Sequence, residues 1–491
     1  MPSPAIDTHK LRSRFIADTV RYAPAVLIPA AVSVASVSVF TRLLDADAYG
    51  VYSLVISAVT ILTVVAAGWI EQSVLRYLPD YDAARSQKEA SARVIGVTAA
   101  MCAVVVLCSL IAYLLTRGST GVFARFLLPA SMLLIAEASF LALGSVLQSR
   151  LRSRALSTLR SVGAVLRFGM ALGLVLWFHR DLRWLLIGTA LGRGIVAVAT
   201  LIMVARDASG WAVPKLDRAV VARFVAYGVP MLGWTLSSRV LGLSDRFVIE
   251  AYHGSAAVGV YSANYALVTM GFGLLSGPLL IAAHPLIVAA WKDHGAERAP
   301  ETIASFSRLY VLGLMPVVAI LALCSREVAA ILLGHTFREG HEIIPILVLG
   351  IFVWGFSMYG HKGLELAERT NIMFVFAAIT AAVNVILNFI FVPAYGYKAA
   401  AVTTLASAFV YPILVHWVSK RYIPWRIPWA TVVQAAGASA AAFMLGALVK
   451  RALASNPPLV VASVTSVAMI SVYAAILWWL HRRGRNRKGN A

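Results

Sequence analysis

The sequence has 491 residues, of which 60% are hydrophobic and 13% are charged, and its mean hydropathy is +0.80. Soluble domains carry about 25% charged residues, so this composition excludes an ordinary soluble protein and indicates a chain that lies mostly in a membrane. The net charge of +21 would indicate nucleic acid binding in a soluble protein. In a membrane protein, basic residues concentrate in cytoplasmic loops instead.

Apolar runs recur along the whole chain, and a run of about 20 residues is long enough to cross the hydrocarbon core as a helix. Backbone polar groups in lipid must pair within their own segment, so such runs predict helices. The sequence therefore predicts an all-α integral membrane protein. Its fourteen expected transmembrane helices cover residues 22–41, 51–70, 94–115, 123–147, 161–178, 184–204, 224–244, 257–281, 309–325, 343–360, 372–392, 399–418, 428–448 and 459–480.

The basic residues are distributed unevenly over the predicted loops. Of the 43 Lys and Arg residues, 29 fall on the side of the N terminus, 11 fall on the opposite side and three fall inside spans. Because cytoplasmic loops are the more basic ones, this distribution predicts that both termini are cytoplasmic. It also accounts for most of the positive charge, and no nucleic acid partner is expected.

A repeat relates the two halves of the chain. At one offset of 209 residues, RFVA starting at Arg223 matches RFIA starting at Arg14, and GVYS starting at Gly259 matches GVYS starting at Gly50. Six spans per copy is an even number, so both copies enter the membrane from the same side, as in transporters with parallel repeats. The predicted domains are a six-helix bundle at 1–204, a cytoplasmic linker at 205–222, a second six-helix bundle at 223–418, and two extra helices with a basic cytoplasmic tail at 419–491.

Three arginines lie inside predicted spans, namely Arg167, Arg193 and Arg239. An arginine at bilayer depth costs about 2.5 kcal/mol or more, so such residues face a bundle interior or a wet cavity. We expect these three to line a cationic cavity and bind substrate. Four others lie closer to the membrane surface, where snorkelling is the favoured interpretation: Arg14, Arg21, Arg160 and Arg246.

Polar residues inside spans are candidates for ion coupling. Glu137 is the one clear carboxylate in the middle of a predicted span; it can pair with an arginine, which is favoured, or accept a coupling proton. Asn384 and Asn388 share one helix face, and Thr403 and Thr404 follow in the next span. Their oxygens could ligate Na⁺, although interhelical hydrogen bonding is the commoner role. Coupling to Na⁺ or H⁺ is thus left open, and no other cofactor and no firm metal site are expected.

Aromatic side chains can also contact a sugar substrate. Most aromatic residues of a membrane protein lie at the membrane interface or in the core. Tyr261, in the repeated GVYS stretch, is the aromatic candidate for substrate binding.

Two pairs of short motifs resemble those of a known family. Arg42-Leu43-Leu44 followed by Tyr49-Gly50-Val51-Tyr52 resembles the first-half signature of polysaccharide biosynthesis proteins. Ser244-Asp245-Arg246-Phe247-Val248-Ile249 followed by Val258-Gly259-Val260-Tyr261-Ser262 resembles their second-half signature. These proteins are the Wzx-type oligosaccharide flippases of the MOP superfamily, which are related to the MATE exporters and the peptidoglycan lipid flippase.

The resemblance implies a function without chemistry on the substrate, so no enzyme activity is expected. It implies that the chain flips undecaprenyl-pyrophosphate-linked oligosaccharide across the bacterial inner membrane by alternating access, for O-antigen or exopolysaccharide synthesis. The implied partners are the lipid-linked glycan, the bilayer, a polysaccharide polymerase and glycosyltransferases. Asn384, Asn388 and Thr404 have a spacing similar to a sodium site of the peptidoglycan lipid flippase. Asn388 stands where that flippase has a carboxylate, which weakens the case for cation binding.

Two alternatives belong to other functional classes. A MATE-like small-molecule exporter would carry a buried carboxylate for cations. A membrane glycosyltransferase that uses a lipid-phosphate donor could place catalytic acids at Asp45 and Asp47, after the first span. Such enzymes usually have larger external loops and lack the repeat, so the enzyme is the less favoured alternative.

Overall fold

The structure is a computed structural model that describes residues 27–80, 84–117, 122–178, 181–207 and 218–489. Of these residues 93% are helical, and no strand occurs among them. The prediction of an all-α membrane protein is therefore confirmed. Arg14, Arg21 and residues 208–217 of the predicted linker lie outside the described residues.

The described helices follow one another with short connections. In chain order they are α1 (Leu27–Leu43), α2 (Ala46–Tyr77), α3 (Ala84–Leu115), α4 (Val122–Ser149), α5 (Ser153–Trp177), α6 (Leu182–Asp207), α7 (Arg218–Leu323), α8 (Ser325–Leu332), α9 (Ile344–Gly360), α10 (Lys362–Leu366), α11 (Thr370–Ser419), α12 (Trp429–Ala452) and α13 (Pro458–Gly489). Short 3₁₀ helices lie at Leu78–Asp80 and His335–Ile343.

Glycines interrupt the two longest helices. Gly254 and Gly295 in α7 and Gly396 in α11 have φ values of 78°, 58° and 64°, a left-handed backbone that glycine adopts because it has no Cβ. By length and composition, eleven described segments can cross a membrane, and Leu27–Leu43 is a shorter apolar helix. Two of the eleven divide at Gly254 and Gly396, which makes thirteen. With the shorter helix Leu27–Leu43 the described residues hold fourteen apolar helical segments, the number expected from the sequence.

The chain forms two compact units. Unit 1 contains residues up to Ser36 together with Val51–Leu243. Within it, α2 packs against the first part of α7, where the Ser73 hydroxyl donates a hydrogen bond of 2.8 Å to the Phe224 carbonyl oxygen. A side chain at Gly228 would collide with the carbonyl of Trp69. This close approach brings the part of α7 that carries Arg239 onto unit 1.

Unit 2 contains Val37–Gly50 and Ser244–Ala491. The two glycines of the repeated GVYS stretches meet here, because a Cβ at Gly50 would collide with the Ser255 carbonyl and a Cβ at Gly259 with the Ala46 carbonyl. The repeated glycines thus allow the start of α2 and the middle of α7 to touch through their backbones. The predicted four-part domain organisation stays a prediction.

The first family-like motif also anchors the end of α1 in unit 2. The Arg42 guanidinium donates a 2.6 Å hydrogen bond to the carbonyl oxygen of Ile331 at the end of α8. The Gly334 backbone N–H donates one of 3.1 Å to the Thr41 hydroxyl, and the rings of Tyr49 and Phe337 pack edge to face at 5.3 Å. The residues around this motif therefore have structural roles.

Candidate functional site

A carboxylate and two arginines meet in the middle of three helices of unit 1. Glu137 of α4 accepts two contacts from Arg193 of α6, at 2.8 Å from Nε and 2.7 Å from Nη2. Its other oxygen lies 3.2 Å from Arg167 Nη1 of α5. The pairing expected for Glu137 is therefore present, and it involves both arginines. One carboxylate facing two guanidinium groups leaves a net positive charge at this depth.

Glycines of α6 place these charged side chains together. A Cβ at Gly192 would collide with the backbone of Leu166 and Arg167, and one at Gly188 would collide with the backbone of Met170 and Ala171. The backbones of α5 and α6 can therefore approach closely, as small residues commonly allow between membrane helices. Because Gly192 precedes Arg193 and touches Arg167, this contact fixes the spacing of the two arginines.

The three side chains differ in accessibility. The exposed fraction of the side chain is 14% for Arg193, 19% for Glu137 and 37% for Arg167. Arg193 also lies over the ring of Phe140, with its Cζ 3.8 Å from the centroid, which is a cation–π geometry. Arg193 is thus held on two sides by the protein, whereas more of the Arg167 side chain is accessible.

A second carboxylate and two further arginines extend the site. Glu71 of α2 is within electrostatic range of Arg160 on α5 and Arg239 on α7, which both attract its charge. Arg160 and Arg239 are exposed. Arg160 also repels Arg193 electrostatically, so the two groups of charges are neighbours. Four arginines and two glutamates therefore form one cationic cluster on unit 1: Arg160, Arg167, Arg193, Arg239, Glu71 and Glu137.

Sequence reasoning missed Glu71, because the second span was expected to end at residue 70. In the structure α2 continues to Tyr77, which brings Glu71 inside the helix. Tyr52, earlier in α2, is within electrostatic range of Arg167 and Glu137 and hydrogen bonds with the Thr189 side chain. Glu71 directly follows the predicted span 51–70. Extending that span by one turn would have placed this glutamate inside the helix.

Tyr261 lies in unit 2 and is fully buried. Its hydroxyl donates a hydrogen bond to Asp245. Asp245 in turn forms a 3.1 Å ion pair with Arg246, and both charged side chains are buried. The substrate contact predicted for Tyr261 therefore does not fit this conformation, because its hydroxyl is committed to Asp245 and its ring is enclosed. The snorkelling expected for Arg246 is therefore wrong, because its side chain is buried and pairs with Asp245 instead of reaching the membrane surface.

The asparagines and threonines of α11 form a closed hydrogen-bond network. Asn388 Nδ2 donates to Asn384 Oδ1 at 3.1 Å, and the Thr403 hydroxyl donates to Asn388 Oδ1 at 2.6 Å. Thr404 accepts a longer contact of 3.5 Å from Asn384 Nδ2. The amide oxygens thus accept hydrogen bonds from the protein. This arrangement agrees with hydrogen bonding between helical segments, the commoner role of Asn and Thr in membranes, rather than with Na⁺ ligation. Among the described residues, no group of three or more His, Cys, Asp and Glu could hold a metal ion.

If Na⁺ bound this network, sodium would raise the stability of the protein. Because the Asn384 and Asn388 oxygens already accept hydrogen bonds, we expect equal melting temperatures in sodium chloride and in choline chloride of the same concentration. Thermal unfolding of purified protein in detergent measures this. A higher melting temperature in sodium that disappears in an Asn388→Leu variant would contradict the expectation and restore the cation site.

Comparison with known proteins gives a family and a fold. The sequence profile of the polysaccharide biosynthesis protein family matches residues 22–291. The chain is also 25% identical over 206 residues to the uncharacterized membrane protein MJ1068 of Methanocaldococcus jannaschii. That match covers 41% of this chain and 40% of the length of that relative.

Two solved structures have a similar fold over most of the chain. The lipid II flippase MurJ, in an inward closed conformation, superposes with a TM-score of 0.76 at 13% identity, over 94% of this chain and 99% of that one. An inward-facing multidrug resistance MATE family transporter of the MOP superfamily gives a TM-score of 0.62 at 15% identity, over 81% of this chain and 97% of that one. The chain therefore has the fold that these two membrane proteins share.

Proposed function

Because the chain belongs to the polysaccharide biosynthesis protein family, we propose that it is a flippase for undecaprenyl-pyrophosphate-linked oligosaccharide. It would carry this lipid from the cytoplasmic to the outer leaflet of the bacterial inner membrane, with both of its own termini in the cytoplasm. The observation that carries the proposal is the cationic cluster of unit 1, in which Glu137 pairs with Arg167 and Arg193 while Glu71, Arg160 and Arg239 lie within electrostatic range.

The cluster suits a pyrophosphate for a physical reason. Pyrophosphate and sugar lose their hydration in hydrocarbon, and an uncompensated buried charge costs far more than thermal energy. Arginine offers a planar fork of donors that matches phosphate oxygens and keeps its charge when partly dehydrated. Arg167, Arg160 and Arg239 are the accessible members of the cluster, so they are the ones proposed to contact the pyrophosphate.

The glutamates have a different role in this proposal. Glu137 orients Arg193 and Arg167, and it lowers the repulsion between these two arginines. Incoming pyrophosphate competes with Glu137 for the exposed face of Arg167, so the bound anion is held firmly but can leave. Tight binding on both sides of the membrane would prevent release, and partial neutralisation by the protein avoids it.

The energy for outward movement can come from the membrane potential. With the cell interior negative, moving an anion outward gains about 2.3 kcal/mol per charge per 100 mV. The sugar and pyrophosphate would travel in the polar site while the lipid chain stays in the bilayer. Alternating access between the two repeats would open the site to one leaflet at a time. Additional coupling to Na⁺ or H⁺ stays a prediction.

A MATE-like exporter is the second candidate, because the chain shares that fold. A cation-coupled exporter needs a carboxylate that is available to a proton or a cation. Glu137 is paired with two arginines, and the arginines of this cluster outnumber its glutamates, so its charge suits an anionic substrate better than a cationic drug.

Reconstitution tests the proposal directly. Proteoliposomes with purified protein and a fluorescent lipid-linked oligosaccharide are treated with an enzyme or quencher that reaches only the outer leaflet. We expect label to become accessible from the inner leaflet faster than in protein-free liposomes. Transport of cationic dyes without transport of the lipid-linked sugar would favour the exporter. Formation of a new glycosidic product would favour a glycosyltransferase.

A further inference from the structure

Unit 2 contains a cavity that the proposed function does not use. Its volume is about 1320 Å³, larger than the roughly 300–1000 Å³ of typical small-ligand pockets. It is bounded by α8, the 3₁₀ helix His335–Ile343, the end of α12 and the start of α13. All of these elements belong to unit 2.

Basic side chains dominate the charge of this cavity. Arg326, Arg338, Lys450 and Arg451 line it, against two carboxylates at Glu327 and Glu339; two histidines, His335 and His341, lie beside them. Lys450 is neutralised, since its Nζ lies 2.7 Å from Glu327 Oε2 and donates to the Leu323 carbonyl oxygen at 2.7 Å. Three arginines therefore remain for one carboxylate.

The arginines are available to a ligand. Arg338 uses its Nε for a 3.2 Å hydrogen bond to the Leu333 carbonyl oxygen, which orients the guanidinium and leaves both Nη atoms. Arg326 and Arg451 are exposed, and within the described part of the chain their guanidinium groups make no hydrogen bond or ion pair. Three guanidinium groups on the wall of one cavity offer several donors to a single anion.

Most of the remaining wall of the cavity is apolar, with Thr336, Tyr397 and Asn456 as its polar members. Val260 of α7, Ala330 of α8, Ala447 of α12 and Val461 of α13 line it. A small hydrophilic anion would use only the arginines and leave this wall in contact with water. A molecule with a phosphate group joined to an apolar chain would use both, because burial of apolar surface contributes about 25 cal/mol per Å².

We propose that this cavity binds the phosphate headgroup of an anionic lipid, with Arg326, Arg338 and Arg451 as its phosphate ligands. The sequence places these arginines on the side opposite the N terminus, so the site would face the outer leaflet. The ligand can come from two sources that share this chemistry: an anionic phospholipid of the bilayer, or a polyprenyl pyrophosphate. The binding itself does not depend on the transport activity proposed above.

Binding to purified full-length protein tests this. The probes are phosphatidylglycerol and farnesyl pyrophosphate, with zwitterionic phosphatidylcholine and inorganic pyrophosphate for comparison, and native mass spectrometry measures the bound fraction. We expect a variant with Arg326→Gln and Arg451→Gln to bind the anionic lipids at least tenfold more weakly. The matched control carries Lys420→Gln and Arg421→Gln, which remove the same charge at exposed positions of unit 2 outside the cavity, and should bind within twofold of the unaltered protein.

The outcomes separate the sources and can reject the site. A larger loss for farnesyl pyrophosphate identifies the polyprenyl ligand, and a larger loss for phosphatidylglycerol identifies the bilayer lipid. Equal binding by the cavity variant, or an equal loss in the control, would overturn the proposal. If the double variant does not fold, the single variants Arg326→Gln and Arg451→Gln test the proposal instead. Each should weaken binding of the anionic lipids at least threefold. Transport can fail while this binding persists, so the two proposals are tested separately.

Discussion

Replacing Arg167 with glutamine is expected to reduce the transport rate of lipid-linked oligosaccharide at least tenfold. Arg167 is the most accessible member of the Glu137 group, with a side chain 37% exposed, so it can reach a pyrophosphate oxygen. A hydrogen bond to a charged group contributes about 1.5–3 kcal/mol, and about 1.4 kcal/mol corresponds to a tenfold change in rate. The initial rate in proteoliposomes measures the effect.

Arg154→Gln is the matched control for this experiment. Arg154 is an exposed residue near the start of the same helix, α5, and lies outside the cationic cluster. Its substitution removes the same charge and should leave transport within twofold of the unaltered protein. Arg167→Lys keeps the charge without the guanidinium fork and should fall between the two. Unchanged transport in a variant that carries Arg167→Gln, Arg193→Gln and Arg239→Gln together would reject the cationic site.

Glu137→Gln is expected to lower the free energy of unfolding by about 2 kcal/mol, below the ~3 kcal/mol for breaking a fully buried ion pair, because this pair is only partly buried. The substitution leaves Arg193, only 14% exposed, without its carboxylate. Part of the cost is avoided because Arg167 is accessible enough to be hydrated. Reversible unfolding in mixed detergent micelles measures the change.

A second substitution tests the cause of this loss. If the unpaired Arg193 is responsible, adding Arg193→Gln to Glu137→Gln should recover at least half of the lost stability, since the partly buried charge is then gone. Glu301→Gln, at an exposed position of α7, serves as the control and should change stability little. Additive losses in the double variant would show that Glu137 and Arg193 do not act as a pair.

Both experiments rest on contacts that could be expected only in outline from the sequence. The apolar spans predicted the number of membrane helices. A helix must have a minimum number of apolar residues to cross the hydrocarbon core, and this length can be checked for each segment by itself. The cost of charge in the membrane identified Arg167, Arg193 and Arg239, and the same argument favoured an arginine partner for Glu137. The length of an apolar span and the presence of a charge inside it are both properties of short segments.

The packing of distant segments decided the rest. Glu71 was missed because polarity alone does not show where a helix ends, and only the contact between α2 and the first part of α7 brings it near Arg239. Tyr261 had the features of a sugar-stacking residue, yet packing encloses it and gives its hydroxyl to Asp245. The oxygens of Asn384 and Asn388 looked free to bind an ion, yet neighbouring donors occupy them.

The sequence by itself determined that this is an all-α membrane protein with charged residues inside its spans, because hydrocarbon acts on each segment separately. Which charges meet was decided only by the tertiary structure. Gly192 lets α5 and α6 approach until Arg167 and Arg193 share Glu137. Such pairing depends on the distance and rotation of two helices, and those are fixed by backbone contacts between residues that are far apart in the chain.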